Sequence, residues 1–468
     1  MPQLIDINAA VERVGVGKLA VFVIGLCFLM MMSDGYDFVA LSVAVPAILR
    51  TWQVQAKDMG VVFSVTFFGL LVGSLIYGWM GDKLGRKFTI VFGTFNFGLP
   101  ILLTVWATNI EELAVLRFIG GIGMGGIVPI AYTLVSDYAP RRMRSTVTVV
   151  TNTGYSLGGV VTGLIAASAI PNFGWQSLFA IGAGFSLVMA IVLILWLPES
   201  PQYLALKNPD SPKLKRLVQR LVRDEKIADD TTFVINDPQE RQSEPGNHNF
   251  SQLFHGPRAA VTSLLWLLFL TDALGFFFLA SWLPLVMEGQ GISPSVASLT
   301  QSLFVFTGMI GGFLIMRFLD RAGPIAIVAL PVIGAPLEIL MGMPGLGQPL
   351  LLTIVAGAGI CLSGIHYAIY AIAVRFYPAS IRGRGVSSAT VWGRAGGVIA
   401  PYVGGYFLSA HMPLQHLMML AALPCAATAL IGLGLGRLYR RHFDKASTAE
   451  GEIAVGNLAF EKGRRSDG

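Results

Sequence analysis

The sequence predicts an all-α polytopic membrane protein, with twelve transmembrane helices in two pseudo-symmetric six-helix bundles. Three observations carry this prediction. Of 468 residues, 54% are hydrophobic and only 13% charged, whereas soluble domains carry about 25% charged residues. Twelve apolar stretches approach or exceed the roughly 20 residues that a membrane helix needs. One long polar segment, about 198–257, divides them into two sets of six.

The first set covers 18–47, 59–80, 88–108, 112–136, 146–170 and 174–197. Its opening apolar run, Leu19 to Val45, is longer than a signal-peptide core and lacks a cleavage site of small residues. The second span ends in a charged turn, and the fourth holds Arg117. The second set covers 258–287, 296–319, 324–343, 348–376, 385–410 and 414–438. Asp272 lies in the seventh span, Glu338 in the ninth, His366 in the tenth and Arg394 in the eleventh. Glycine is abundant, at 54 residues, as expected where small residues let helices approach closely in lipid. The organisation expected is a first bundle at 1–197, a linker at 198–257, a second bundle at 258–443 and a disordered tail at 444–468.

The net charge of +6 does not require nucleic acid. The even-numbered turns, the central segment and both termini hold 29 of the 33 basic residues; the odd-numbered turns hold only Arg50 and Lys57. Basic residues accumulate on the cytoplasmic side of membrane proteins, so both termini are expected there. In the linker, Leu214, Leu217, Val218, Leu221 and Val222 alternate with Lys213, Lys215, Arg216, Arg220 and Arg223 at helical spacing. This fits a basic amphipathic helix on the inner membrane surface equally with a solvated linker helix. Cys27, Cys361 and Cys425 lie far apart in apolar stretches and read as packing residues.

The halves overlay without gaps when Asp34 is set on Asp272. Pro46 then meets Pro284, Gly73 meets Gly311, Tyr132 meets Tyr370 and Arg144 meets Arg382. Such duplication is the ground plan of secondary transporters, whose substrate sits at the repeat interface near the bilayer midplane. Asp37, Arg117 and Arg394 have no charged counterpart under this overlay. They are therefore better substrate-site candidates than features present in both halves.

The turn after the second span, Gly78-Trp79-Met80-Gly81-Asp82-Lys83-Leu84-Gly85-Arg86-Lys87, resembles the signature of the major facilitator superfamily. Asp320-Arg321-Ala322-Gly323 is a degenerate copy in the second half. Arg117-x-x-x-Gly121-x-Gly123 and Pro198-Glu199-Ser200-Pro201 also resemble that superfamily. Asp34-Gly35-Tyr36-Asp37, with Gly393-Arg394-Ala395-Gly396, resembles a narrower group, the aromatic acid:proton symporters of 4-hydroxybenzoate and protocatechuate type. That resemblance implies a monomeric carrier, not an enzyme, in the bacterial cytoplasmic (inner) membrane. It would import a small aromatic carboxylate with protons, using the proton gradient and no cofactor or metal. The alternatives are a carrier of another metabolite, such as a sugar or dicarboxylate, and a drug-type exporter. The fifth span lacks the proline of the superfamily's antiporter motif, which weakens the exporter reading.

Ionisable residues inside membrane helices are costly and serve function by default. Asp34 and Asp37 are three apart and share a helix face, so one of them suits proton carriage. Arg117 is expected to pair with Asp34 or Asp37. Arg394 is the preferred clamp for a substrate carboxylate, because guanidinium keeps its charge and forks onto carboxylates. Asp272 fits either proton coupling or helix packing, and His366 fits proton relay, substrate contact or packing. Glu338 is less favoured, since the ninth helix usually faces lipid in the superfamily. Tyr36, Tyr155, Trp282, Tyr370 and Trp392 could contact an aromatic ring; Tyr132, Phe276 and Tyr367 are further candidates. Gly78, Asp82, Gly85, Arg86, Arg144, Asp320, Arg321 and Arg382 belong to helix ends. There, paired charges would latch and release neighbouring helices.

Overall fold

A computed structural model describes residues 4–222, 231–235, 250–377 and 379–442. Arg223 and the tail expected at 444–468 lie outside the described residues. The first bundle holds α2 (Lys18–Trp52), α3 (Ala56–Leu84), α4 (Arg86–Thr104), α5 (Ile110–Asp137), α6 (Arg144–Phe173) and α7 (Gln176–Trp196). Before it stands the short α1 (Ile7–Val14), and after it α8 (Pro201–Lys207) and α9 (Pro212–Leu221). The second bundle holds α10 (Pro257–Gly289), α11 (Pro294–Ala322), α12 (Ala329–Met341), α13 (Gln348–Ala358), α14 (Gly364–Phe376), α15 (Ala379–Ser409) and α16 (Leu414–His442). A π-turn, Gly359–Ser363, joins α13 to α14 as one span. A two-stranded parallel ribbon, β1 (Leu4–Asp6) with β2 (Thr232–Val234), ties the linker to the N-terminus.

Among the described residues, ten helical spans are both long and apolar enough to cross a membrane. Two complete the predicted twelve. One is the shorter apolar Ile325–Met341; the other is α15, which carries Arg384 and Arg394. Boundaries differ from the predicted ones where local chemistry intervenes. The first span runs on to Trp52 despite Pro46, and stops where Gln53 enters the left-handed region at φ 54°. The ninth begins as a 3₁₀ turn, Gly323–Val328, before its α-helix forms. Caps start several elements: Asn109 accepts from Glu112 N at 2.8 Å, and Ser200 accepts from Tyr203 N at 3.0 Å ahead of Pro201. These side chains satisfy backbone donors that a helix N-terminus leaves unpaired.

The amphipathic linker helix behaves as neither sequence reading expected. Leu214, Leu217, Val218 and Leu221 of α9 are buried, within the same apolar core as the first bundle. The apolar face is therefore spent on protein, against α1 and α8, and is not free for lipid or water.

Backbone proximity binds each bundle. A side-chain carbon on Gly73 of α3 would collide with the carbonyl of Ile122, and one on Gly311 of α11 with that of Ile360. These pairs occupy equivalent places in the two halves, so the internal repeat is visible in packing as well as in sequence. Gly35 of α2 meets the Tyr155 carbonyl of α6, and Gly158 of α6 meets the Met32 carbonyl of α2. A Gly35→Ala exchange is expected to force α2 and α6 apart, at the roughly 1–3 kcal/mol or more typical of overpacking. The check is a lowered melting temperature and a broadened size-exclusion peak in detergent.

Three seams join the bundles. In α3 and α15, Ser64 Oγ donates to Val398 O at 2.6 Å. In α6 and α11, Ser302 Oγ donates to Val160 O at 2.6 Å. In α2 and α10, Ser42 Oγ donates to Ser281 O at 3.0 Å, and Arg50 pairs with Glu288. All of these lie between the midpoint and the end that carries Arg50, Lys57 and Ser409. Toward the opposite, terminus-bearing end the walls diverge. Tyr367 Oη and Ser156 Oγ still meet at 3.3 Å, but one and two turns further along the same face of α14, Tyr370 and Val374 are 41% and 40% exposed. The two bundles thus enclose a central cleft that is shut at one end and open at the other.

Candidate substrate and proton site

The cleft wall of the first bundle is built on α2. Asp34 and Asp37, one turn apart, are both buried yet meet different surroundings. Asp37 is paired: Arg117 Nη1 of α5 donates to its Oδ2 at 2.7 Å and its Oδ1 at 2.9 Å. The Arg117 guanidinium also lies 4.5 Å from the Phe179 ring centroid. Its Nε and Nη2 have no hydrogen-bond partner among the described residues. Asp34 Oδ1 likewise has none, although Asp34 interacts electrostatically with Tyr132 and Tyr155. Two buried carboxylates thus stand one turn apart, and Arg117 pairs with one of them. Tyr132 Oη donates to Asn152 Oδ1 at 2.6 Å beside them.

The second bundle presents a different constellation. His366 Nδ1 of α14 meets Asp272 Oδ2 of α10 at 2.7 Å. The imidazole is stacked on Phe276 at 4.1 Å and 9°, and Phe277 meets it edge-on at 5.3 Å. Arg394, only half-buried, donates from Nη1 to the Leu70 carbonyl of α3 at 3.0 Å. Among the described residues no carboxylate pairs with it. Tyr370 lies in electrostatic contact with both Asp272 and Arg394, and its ring meets Phe269 edge-on at 5.1 Å.

Several sequence candidates stand elsewhere. Tyr36 points into the first bundle, where it donates to Leu178 O at 3.2 Å, beside the Phe179 ring that carries Arg117. Trp282 is fully buried in the closed seam, donating to Pro401 O at 3.2 Å and packing edge-on against Phe63. Trp392 lies on the face of α15 shared with Ile399, Val403 and Tyr406, all exposed, and stacks on Trp266 at 5.7 Å. None of these three faces the cleft in this conformation. Glu338 is fully buried in the second bundle, where a lipid-facing ninth helix would have left it outside.

The helix-end candidates form a separate cluster. Gly85 adopts φ 100°, and a side-chain carbon there would strike Glu199, so both conformation and contact require glycine. Gly78 has open space around it, and packing makes no such demand. Glu199 accepts from the backbone N–H of Arg86 at 2.9 Å and of Lys87 at 3.1 Å. Tyr203 stacks under the Arg86 guanidinium at 5.1 Å and donates to Lys83 O at 2.9 Å; burial, then Glu199, pushes its phenol pKa up. Arg86 and Arg144 both act on Asp137, which pairs with Ser200. Asp82 and Arg321 are exposed. The side chains of Asp320 and Arg382 lie outside the described residues.

Sequence reading missed Asp137 and Asn152, which look like ordinary polar residues near span ends or within a span. It also missed the Leu70 carbonyl, because a backbone group has no side-chain signature. Phe276 was foreseen as a ring-stacking residue, but its partner is His366.

The two-bundle fold with charges gathered on a central cleft defines a membrane transporter. The chain belongs to the major facilitator superfamily, whose sequence profile matches residues 27–337 and 265–459; its members and this fold are transporters, not enzymes. The chain is 33% identical to the 4-hydroxybenzoate transporter PcaK of Pseudomonas aeruginosa, over 92% of this chain and 96% of that protein. It is 31% identical to a gallate transporter of Pseudomonas putida, over 92% and 95%, and 28% identical to a benzoate transport protein of Acinetobacter baylyi, over 91% and 91%. Among solved structures, a bacterial homologue of the human lysosomal transporter Spinster superposes with a TM-score of 0.70 at 16% identity, covering 91% of this chain and 99% of that one. The xylose transporter XylE of Escherichia coli superposes at 0.67 and 14% identity, covering 87% and 95%.

Proposed function

We propose that the protein is a proton-coupled importer of a small aromatic carboxylate of hydroxybenzoate type. The observation that carries this reading is Arg394: a half-buried cation beside the cleft, held by one backbone carbonyl and given no carboxylate by the described residues. A guanidinium so placed suits a carboxylate brought by a substrate, and the relatives above are transporters of aromatic acids. Tyr370 and Tyr155 supply rings and hydroxyls for the rest of such a molecule.

The coupling follows from charge balance. Arg117 neutralises one carboxylate, Asp37, and leaves Asp34 uncompensated in low dielectric. A proton taken by Asp34 from the outer side leaves the wall of the first bundle neutral, and the bound anion does the same for Arg394. The compensated bundles can then rock about the midpoint seam, as rigid-body alternation requires. The end closed here by Arg50, Glu288 and Trp282 is the periplasmic one, and the open end faces the cytoplasm with both termini. The membrane is the bacterial inner membrane. One chain holds the whole site between its halves, so it acts as a monomer, and the proton gradient takes the place of any cofactor.

The test is uptake of labelled 4-hydroxybenzoate into proteoliposomes under an imposed pH gradient. Wild-type protein should accumulate the acid only when the outside is acid. Asp34→Asn should lose at least tenfold of that accumulation and still exchange internal for external substrate. Wild-type uptake that ignores the gradient overturns the reading.

A further inference from the structure

Glu338 of α12 is the one acid among the described residues with both carboxylate oxygens buried and unpartnered. It sits inside the second bundle, not on its rim. Gly334, one turn before it, lies against Cys361 of the π-turn and Cys425 of α16. Cys425 in turn interacts electrostatically with both Glu338 and Asp272. The groups able to titrate around Glu338 are thus Cys361 from the π-turn, Cys425 from α16 and, beyond them, Asp272 from α10. No cation among the described residues pairs with it.

A second feature adjoins it. The π-turn Gly359–Ser363 interrupts the α13–α14 span, and Ser363 Oγ is also buried and unpartnered. Single π-turns break the regular ladder and concentrate at functional sites. Three residues past this one stands His366, joined to Asp272. A crevice lined by Asp272, Cys425, Leu362 and Pro331 runs between the pair and α16. Ionising an isolated carboxylate in such surroundings costs several kcal/mol even after relaxation, so this pocket favours the neutral acid. Under the internal overlay its counterpart is Pro100; the feature belongs to the second bundle alone.

We propose that Glu338 is a second proton-binding site of the transport cycle, communicating through the π-turn with the Asp272–His366 pair. This rests on the proton-coupled reading above and deepens it. Glu338 takes a proton when its pocket communicates with the outer side, carries it as neutral carboxylic acid through the state seen here, and gives it up to the cytoplasmic side as the π-turn shifts. With Asp34 also loaded, two protons accompany one monoanion. Net positive charge then moves inward, and the membrane potential contributes to accumulation.

The experiment is uptake of 4-hydroxybenzoate into proteoliposomes with and without an inside-negative potassium diffusion potential, at a fixed pH gradient. Wild-type uptake should rise severalfold with the potential. Glu338→Gln, which mimics the neutral acid, should lose the potential's effect. Glu338→Asp should retain part of it. Wild-type uptake that follows the pH gradient but is indifferent to the potential overturns this proposal and leaves the proton-coupled reading standing. So does a Glu338→Gln protein that still responds fully to the potential. If the glutamine variant does not fold, Glu338→Asp decides, and a full wild-type response from it overturns the proposal.

Discussion

Arg394→Ala is expected to remove transport at low substrate concentration almost entirely. A hydrogen bond to a charged group is worth about 1.5–3 kcal/mol net, and a forked guanidinium–carboxylate pair makes two such bonds. Loss of the clamp should therefore raise the half-saturating concentration for 4-hydroxybenzoate by about 100-fold or more. Stability should hardly change. The Arg394 side chain makes one bond to the Leu70 carbonyl, and removing a half-buried cation with no acidic partner leaves no carboxylate stranded. Arg394→Lys keeps the charge but not the planar fork, and should fall between alanine and wild type. The measurement is the initial uptake rate across a substrate series, with the detergent-solubilised melting temperature as control. An alanine variant with wild-type half-saturation contradicts the clamp.

Separating Asp37 from Arg117 should instead act on stability first. Both are almost fully buried, and the guanidinium spans both carboxylate oxygens within 2.9 Å. Removing one partner strands the other charge in low dielectric, which costs about 3–5 kcal/mol. Asp37→Leu and Arg117→Leu should each lower the melting temperature steeply and reduce membrane yield. The double variant strands neither member of the pair, and replacing a whole buried pair by apolar residues is often neutral or stabilising. It should recover most of the lost stability and still fail to couple uptake to protons. The coupling energy from this double-mutant cycle is read from the four melting curves. Additive losses in the double variant would show that the two charges do not depend on each other.

The paired charges illustrate where sequence reading reached and where it stopped. The pairing of Arg117 with one of two acids was legible, because a buried cation in lipid needs an anion and Asp34 and Asp37 share one face of the first span. Which acid it chose was not. The same applies to Asp272 and His366: each was flagged alone as an ionisable residue in hydrocarbon, and their union at 2.7 Å brings together residues 94 positions apart in the chain. Glu338 was misplaced for a related reason. A general expectation about the ninth helix stood in for knowledge of which side of that helix the residue occupies.

By itself the sequence determined the number and order of the spans, the division into two halves and the asymmetric charges on which a transport site could be built. These follow from length, hydropathy and the cost of placing charge in lipid, all of which are local to each segment. Only the tertiary structure decided how each helix is rotated about its own axis. A membrane helix is apolar on every side, facing either lipid or another apolar helix, so its hydropathy carries no stripe to mark an inner face. That rotation placed Arg394 beside the cleft and Trp392 away from it, and enclosed Glu338 where no cation among the described residues meets it.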